Sequence, residues 1–199
     1  LDSCEKSGIP YLILYIFEPK IIKSDNISKR HLQFIFHSII DMNNYLKKFN
    51  REVKCLHGNS EDIFREYMRL YNVDNIFAYQ ETGISDTYER DKNILKICIR
   101  NGTKFTEYEK DCVERGIKSR AGWDSRWFKK MSQEIIRNSF SQNKLDDKIN
   151  AFHLPRYFTR QLLNYPGSYV KPGYKNAKSK LSTFLESRSK YYNKHISKT

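Results

Sequence analysis

Residues 113–131 combine both tryptophans of the chain with six cationic side chains, which suits contact with a polyanion. The cations are Arg115, Lys118, Arg120, Arg126, Lys129 and Lys130. A basic patch rich in aromatic residues favours nucleic acid over a membrane surface as the partner, and phosphate contacts of this kind weaken as salt rises. Two alternatives stay open: a merely basic soluble surface, or Arg115 and Arg120 pairing with acidic groups elsewhere to hold the segment down.

The charge balance of the chain changes just before this segment. Up to residue 111 there are 17 Lys and Arg against 17 Asp and Glu, and from residue 112 onward there are 19 against 6. The whole net charge of +13 therefore lies in the second part of the chain. A neutral unit followed by a basic unit is the simplest interpretation.

Other chemistries find little support in the sequence. The four cysteines, Cys4, Cys55, Cys98 and Cys112, are scattered without metal-ligand spacing, so we expect reduced thiols, no metal site and a cytoplasmic protein. No apolar run reaches the roughly 18 residues that a membrane span needs, and no catalytic Ser/His/Asp or Cys/His arrangement can be defended. We therefore expect no membrane partner and assign no catalytic residue.

The elements that position these residues follow from hydrophobic periodicity. Apolar runs at 11–17, 52–56, 75–79 and 103–108 predict strands. Helical spacing between them predicts three helices, the second capped by Asn59 or Ser60. This alternation predicts an α/β fold with a doubly wound, Rossmann-like parallel sheet and ligands at the carboxyl ends of its strands. Glycine-rich dinucleotide and P-loop motifs are both absent from the sequence.

The second part of the chain has a different residue pattern. Prolines and glycines interrupt residues 112–172, which predicts an irregular connector between domains. From residue 173 onward one helical face is predicted, formed by Ala177, Leu181, Phe184, Leu185, Arg188, Tyr192 and His195. The predicted fold is therefore the parallel sheet, an irregular connector and a C-terminal helical segment.

Several short stretches, taken in order, resemble the photolyase and cryptochrome family. They are Tyr-Ile-Phe-Glu-Pro at 15–19, Gln-Glu-Thr-Gly at 80–83 with Tyr-Glu-Arg-Asp at 88–91, and Gly-Tyr-Lys-Asn-Ala at 173–177. Residues 113–131 also look like the Arg-x-x-x-Arg-x-x-Trp-x-x-x-Trp-x-x-x-Met stretch of bacterial cryptochrome-like members. The resemblance covers nearly the whole chain.

The resemblance implies a division into three segments. Residues 1–111 would be the antenna domain, 112–172 the basic interdomain connector, and 173–199 the first helix of the FAD-binding domain. The family's opening strand and its Ser-Arg-Leu-Ser-Pro flavin-phosphate motif have no counterpart here. We therefore expect a fragment that lacks most of the FAD site and is inactive alone.

The resemblance also implies a function. The parent would be a blue-light flavoprotein that binds FAD and DNA, and either repairs pyrimidine dimers or senses blue light. A pterin, deazaflavin or flavin could serve as antenna chromophore. The alternative, from another class, is a non-catalytic nucleotide-ligand or nucleic-acid binding module with a basic tail.

Specific residues follow from the same resemblance. Tyr192 corresponds to a tyrosine near the flavin phosphates, although it could instead be a helix packing residue. Gln80 and Glu81 could hydrogen-bond an antenna ring, while a carboxylate that caps a helix is an equally ordinary interpretation. Trp123 and Trp127, four residues apart, are predicted to be packing anchors rather than electron carriers.

Overall fold

The computed structural model describes residues 1–110, 112–141, 149 and 151–196, except for the side chain at position 195. The predicted domain boundary at residue 111 and residues 197–199 of the third predicted segment lie outside the described residues. Described residues up to 110 form an α/β unit, and those from 112 onward add helices joined by irregular chain.

Four strands alternate with helices in the α/β unit, as the apolar runs predicted. The strands are β1 (Ile13–Phe17), β2 (Val53–His57), β3 (Asn75–Tyr79) and β4 (Lys104–Tyr108). The helices are α1 (Asp2–Ser7), α2 (Pro19–Ile22), α3 (Lys29–Leu46), α4 (Ser60–Leu70) and α5 (Ser85–Arg100). Helices α1 and α2 escaped prediction because six and four residues are too short to show a helical period.

The strands pair in two parallel couples. Strand β1 pairs with β2 from Ile13 opposite Val53 to Phe17 opposite His57, and β3 pairs with β4 over five residues in the same way. The α/β class and the parallel pairing are thus confirmed. The sequence pattern predicted one continuous sheet, whereas no hydrogen-bonded ladder joins β1 to β3 within the described residues.

Side-chain caps determine where the two long helices begin. The Ser28 hydroxyl accepts a hydrogen bond from the amide of His31 at the start of α3. The Asn59 side chain accepts from the amides of Glu61 and Asp62, so Asn59 rather than Ser60 caps α4. Each helix then buries one apolar stripe against the strands, which holds the carboxyl ends of the strands in place.

The predicted connector contributes to the core of the α/β unit. It contains α6 (Trp123–Met131) and α7 (Arg156–Leu163), and α7 packs on α3. Phe158 and Leu162 of α7 are buried in one cluster with Phe17 and Leu32. The Gln33 amide on α3 donates 2.7 Å hydrogen bonds to the carbonyls of residues 161 and 164, which satisfies the end of α7.

The predicted C-terminal helix is divided. Helix α8 (Tyr174–Glu186) ends at Ser187, whose φ of −133° departs from helical geometry, and a 3-10 turn (Arg188–Tyr191) precedes the short α9 (Tyr192–His195). The Asp41 carboxylate accepts the Tyr174 amide at 2.9 Å, which ties the start of α8 to α3. Within the described residues, no helix is long and apolar enough to cross a membrane.

Candidate functional site

A cavity of about 710 Å³ lies between β1 and β3. Its apolar lining comes from both strands and from α4 and α5, and includes Leu12, Leu14, Ile16, Phe64, Tyr67, Met68, Ile76, Phe77, Ala78 and Ile94. At the carboxyl ends of the strands the lining becomes polar, with Glu18, Glu81, Arg90 and Asp91. Polar groups therefore converge at the edge where ligands of parallel α/β sheets bind.

Arg90 of α5 organises this polar edge. Its Nη1 lies 2.8 Å from Glu18 Oε1 just after β1, and its Nη2 lies 2.8 Å from Asp91 Oδ1 and 4.0 Å from Glu81 Oε1 just after β3. Burial raises the pKa of Asp91, and the Arg90 charge opposes that rise. One guanidinium thus links the ends of β1 and β3.

The two predicted antenna residues occupy different positions at this edge. The backbone N–H of Gln80 donates a hydrogen bond to the Tyr108 carbonyl at 2.8 Å, which continues the β3–β4 ladder by one residue. Glu81 lines the cavity, and its carbonyl accepts hydrogen bonds from Nε and Nη2 of Arg115 at 2.9 and 2.6 Å. Gln80 is not part of the cavity lining.

Arg115 attaches the basic segment to this edge. Besides the Glu81 carbonyl, it binds both carboxylate oxygens of Glu107 at 3.1 and 3.3 Å, and its guanidinium lies 5.1 Å from the centre of the Tyr88 ring. These contacts match the alternative in which Arg115 holds the segment down. Because its donors are already used, Arg115 has little capacity left for a phosphate.

Two more of the six cations form ion pairs with acidic neighbours. Arg126 Nε lies 2.6 Å from Glu114 Oε1, and Lys130 Nζ lies 3.6 Å from Glu109 Oε2. The four side chains are between 34% and 44% exposed, so these pairs are accessible to solvent and contribute little stability.

The remaining three cations are the ones most available to a partner. Lys118, Arg120 and Lys129 are exposed, and none of them forms an ion pair within the described residues. The Arg120 guanidinium lies 5.9 Å from the centre of the Trp123 ring, and the Trp123 and Trp127 rings are 6.4 Å apart. The Arg120 guanidinium beside the Trp123 indole could bind a phosphate group and stack on a planar ring, and Lys118 and Lys129 offer further positive charge on the same segment.

Tyr192 lies away from the cavity, at the start of α9. Its ring packs edge to face on Phe184, with 5.8 Å between centroids, and 48% of the residue is exposed. Lys194 Nζ lies 6.0 Å from the centre of the adjacent Tyr191 ring. The Tyr192 hydroxyl is a donor that suits a phosphate oxygen. The break at Ser187 sets Tyr192 off from the helix that carries Phe184.

One buried cluster was missed by sequence reasoning. The Glu5 carboxylate accepts hydrogen bonds from the Tyr11 hydroxyl, from Arg51 Nη2 at 3.1 Å and from the Ser141 amide at 2.8 Å. Burial alone would raise the pKa of Glu5, but these donors outweigh it and lower that pKa to about 2. Burial and the bond to Glu5 raise the pKa of Tyr11 to about 12. The spacing of these residues carries no periodic signal that could have revealed them.

No metal site is found in the part of the chain that the structure describes, since no group of three His, Cys, Asp or Glu side chains there could hold an ion. The cysteines are free, and burial raises the pKa of Cys55 to about 11. Cys55 is therefore a protonated thiol at neutral pH, with little nucleophilic character.

A family model described as DNA photolyase matches residues 1–119, more than half of the chain. The comparison with curated proteins found no match. The matched residues cover the α/β unit and the Arg115 attachment, so the family resemblance is confirmed for the N-terminal homology domain. The alternative of a non-catalytic binding module is not favoured.

Solved structures show the same fold. The chain resembles a cryptochrome from Synechocystis, with a TM-score of 0.68 and 15% identity, covering 96% of this chain and 44% of that one. It resembles a class III photolyase from Agrobacterium tumefaciens, with a TM-score of 0.68 and 14% identity, covering 95% and 42%. It also resembles an archaeal photolyase from Sulfolobus tokodaii, solved with two FAD molecules, with a TM-score of 0.61 and 16% identity. That match covers 85% of this chain and 39% of the other. The chain spans about two-fifths of the length of each of these structures.

Proposed function

Because this chain belongs to the DNA photolyase family, we propose that it serves in a blue-light-driven flavoprotein that acts on DNA, by repairing pyrimidine dimers or by sensing light. The family implies a flavin cofactor and DNA as substrate. The observation that carries the proposal is the attachment of the basic, aromatic segment to the carboxyl-end edge through Arg115. The attachment joins a cationic segment to the α/β unit.

In this proposal the six cations of the segment divide the work of binding DNA. Lys118, Arg120 and Lys129 contact backbone phosphates, because they are exposed and no described acidic group compensates them. Arg115 anchors the segment through Glu107 and the Glu81 carbonyl. Arg126 and Lys130 lie in exposed ion pairs, so their charges are partly offset and they contribute less to DNA binding.

A bound flavin would supply the light-driven electron transfer, while the chain supplies position and field. In this proposal the Tyr192 hydroxyl donates a hydrogen bond to a flavin phosphate oxygen. A hydroxyl donor fits a phosphate, and the high exposure of Tyr192 means that this residue alone would hold it weakly.

An antenna chromophore is proposed for the carboxyl-end edge of β3. There the Glu81 carboxylate would accept hydrogen bonds from the ring amides of a pterin, deazaflavin or flavin. The Gln80 side-chain amide could both donate to and accept from the same ring. Glu81 Oε1 lies 4.0 Å from Arg90 Nη2 at this edge.

The test is duplex DNA binding by the purified chain, measured by fluorescence anisotropy over a series of salt concentrations. We expect the logarithm of the association constant to fall linearly with the logarithm of salt concentration. Light-dependent repair of a pyrimidine dimer by the complete protein that contains this chain separates repair from sensing. Binding that is indifferent to salt would contradict the proposal.

A further inference from the structure

A second aromatic and cationic surface is formed by α3 and the loop that follows α7, which are different elements from the basic segment. The rings of Phe34 and His37 on α3 lie 6.0 and 5.8 Å from the ring of Tyr165 in the loop. The Tyr165 ring lies 6.4 Å from that of Tyr169. The Arg30 guanidinium lies 4.4 Å from the centre of the Tyr169 ring. We call these five residues the loop platform.

Hydrogen bonds hold the loop that carries the two tyrosines. The Tyr165 hydroxyl donates to the Val170 carbonyl at 2.8 Å, and the Tyr169 N–H donates to the carbonyl three residues earlier at 3.3 Å. His37 Nε2 donates to the Leu163 carbonyl at 3.0 Å, which attaches the end of α7 and the start of the loop to α3. A surface that is ordered in advance loses little conformational entropy when a ligand binds.

The platform remains accessible despite these contacts. Phe34 is 37% exposed and Tyr169 is 46% exposed, and Arg30 is exposed beside them. Tyrosine and arginine are the residue types that most often supply binding energy at interfaces, because they combine a large flat surface with polar groups. The composition of the platform is therefore that of a binding surface.

The surroundings of the platform are positively charged. Residues 151–185 contain six Lys and Arg and no Asp or Glu. The single acidic residue of α3, Asp41, accepts the Tyr174 amide at 2.9 Å. Arg30 and Lys171 are exposed, and neither forms an ion pair within the described residues. Charge complementarity therefore favours an anionic partner.

We propose that the loop platform binds single-stranded nucleic acid. Unpaired bases stack on Tyr169 and Phe34, while Arg30 and Lys171 contact the phosphates. Aromatic rings beside arginine hold unpaired bases with little sequence preference, because every base has a flat face. This site is separate from the duplex contacts proposed for the basic segment and does not depend on them.

Other anionic partners fit the platform less well. Duplex DNA offers its phosphates, but its bases are stacked on one another, so their faces cannot reach Tyr169. An acidic peptide matches the positive charge, but the negative face of an aromatic ring repels carboxylates. Unpaired nucleotides suit both parts of the platform, since their bases contact the rings and their phosphates contact the cations.

The experiment measures the binding of two fluorescent oligomers of about ten nucleotides, oligodeoxythymidylate and oligouridylate, by anisotropy. Hydrogen exchange with mass spectrometry locates the contact. We expect saturable, salt-dependent binding and slowed exchange in residues 163–171. Binding of either oligomer there supports the proposal, and the tighter of the two identifies the DNA or RNA form of the ligand.

Matched tyrosine variants test the stacking. Tyr169→Ala should weaken oligomer binding by about fivefold or more, the loss expected when one base loses its stacking partner. Tyr45→Ala is the control and should leave binding within about twofold. Tyr45 is also exposed, with Lys48 Nζ 4.1 Å from its ring centre, and it lies about 22 Å further along α3 than Arg30.

A third variant separates stacking from charge. Arg30→Lys keeps the positive charge and removes the planar guanidinium. It should weaken oligomer binding by about threefold and leave the salt dependence of binding unchanged. Circular dichroism confirms the folding of each variant, and Arg30→Lys tests the proposal if Tyr169→Ala unfolds.

The same assay distinguishes this proposal from the proposed function. When Lys118, Arg120 and Lys129 are all replaced by glutamine, Tyr169→Ala should still weaken oligomer binding by the same factor. Loss of duplex binding in that triple variant with the Tyr169 effect intact would show that the two sites are independent. A chain that binds the oligomers in this way but does not bind duplex would contradict the proposed function alone.

Three outcomes overturn the proposal. The first is unchanged oligomer binding by Tyr169→Ala, or slowed exchange confined to residues 113–131, which would place unpaired bases elsewhere. The second is an equal effect of Tyr169→Ala on heparin binding, which would show a general anion site. The third is tighter, Tyr169-dependent binding of an oligoglutamate peptide, which would identify an acidic protein partner.

Discussion

Phe17 of β1 and Phe158 of α7 pack edge to face, with 5.6 Å between their ring centroids, although one lies near the start of the chain and the other follows the basic segment. Both are buried in the same cluster, with 2% and 5% of their surface exposed. The region beyond the basic segment is thus part of the structural core of the α/β unit as well as a route to the next domain.

Phe158→Ala should lower the free energy of unfolding by about 3–5 kcal/mol, because it removes a buried aromatic side chain and leaves a cavity beside Phe17. Phe128→Ala is the matched control, since Phe128 is 67% exposed and should change stability by no more than about 0.5 kcal/mol. Urea denaturation followed by circular dichroism measures both. Equal effects of the two substitutions would show that α7 is not docked on α3.

The Glu5 cluster should make the chain sensitive to acid. The pKa of Glu5 falls from 4.5 to about 2 on folding, so its contribution to stability is present above pH 4.5 and is lost as pH falls toward 2. Glu5→Gln should abolish this part of the pH dependence. It should also lower the free energy of unfolding at neutral pH by about 3–5 kcal/mol, because Arg51 is left buried without its charged partner.

The measurement for Glu5 is urea denaturation at a series of pH values from about 2 to about 7, a range that spans the ordinary and the lowered pKa of this carboxyl group. Glu52→Gln, on an exposed residue next to Arg51, serves as control and should keep the pH dependence of the unsubstituted chain. If the Glu5→Gln variant lost as much stability at low pH as the unsubstituted chain does, the acid sensitivity would come from other carboxylates.

Replacing Lys118, Arg120 and Lys129 together by glutamine should weaken duplex DNA binding. The slope of the logarithm of the association constant against the logarithm of salt concentration should become shallower by about 2.7, at about 0.9 for each phosphate that is no longer neutralised. Replacing Lys92, Lys96 and Lys104, three exposed lysines of the neutral half, removes the same charge and should leave most of the slope intact. Equal reductions in the two triple variants would mean that only net charge matters.

Tyr192→Phe should weaken FAD binding by the chain several-fold, which corresponds to the loss of one hydrogen bond worth about 0.5–1.5 kcal/mol. Tyr174→Phe, on another exposed tyrosine, should have no such effect. Flavin fluorescence quenching measures the affinity, and we expect less than one FAD per purified chain. A yellow protein with one tightly held flavin per chain would contradict the weak-site proposal.

Local sequence determined much of this fold. The run at 75–79 became β3 with the predicted bounds, and Asn59 capped α4 as one of two predicted residues. These features are readable because strand burial, helical period and capping depend on residues that are neighbours in the chain. The family motifs were readable for the same reason, as short contiguous stretches.

Tertiary structure alone decided the contacts between distant residues. Three contacts join residues from different elements: Arg90 binds Glu18, Glu5 binds Arg51, and Arg115 donates to the Glu81 carbonyl. Such pairs leave no periodic trace, because ion pairing and burial depend on how elements pack and not on spacing along the chain. The sequence by itself therefore predicted the α/β class, its four strands, its three long helices and the basic segment, whereas packing decided which of the segment's cations stay exposed.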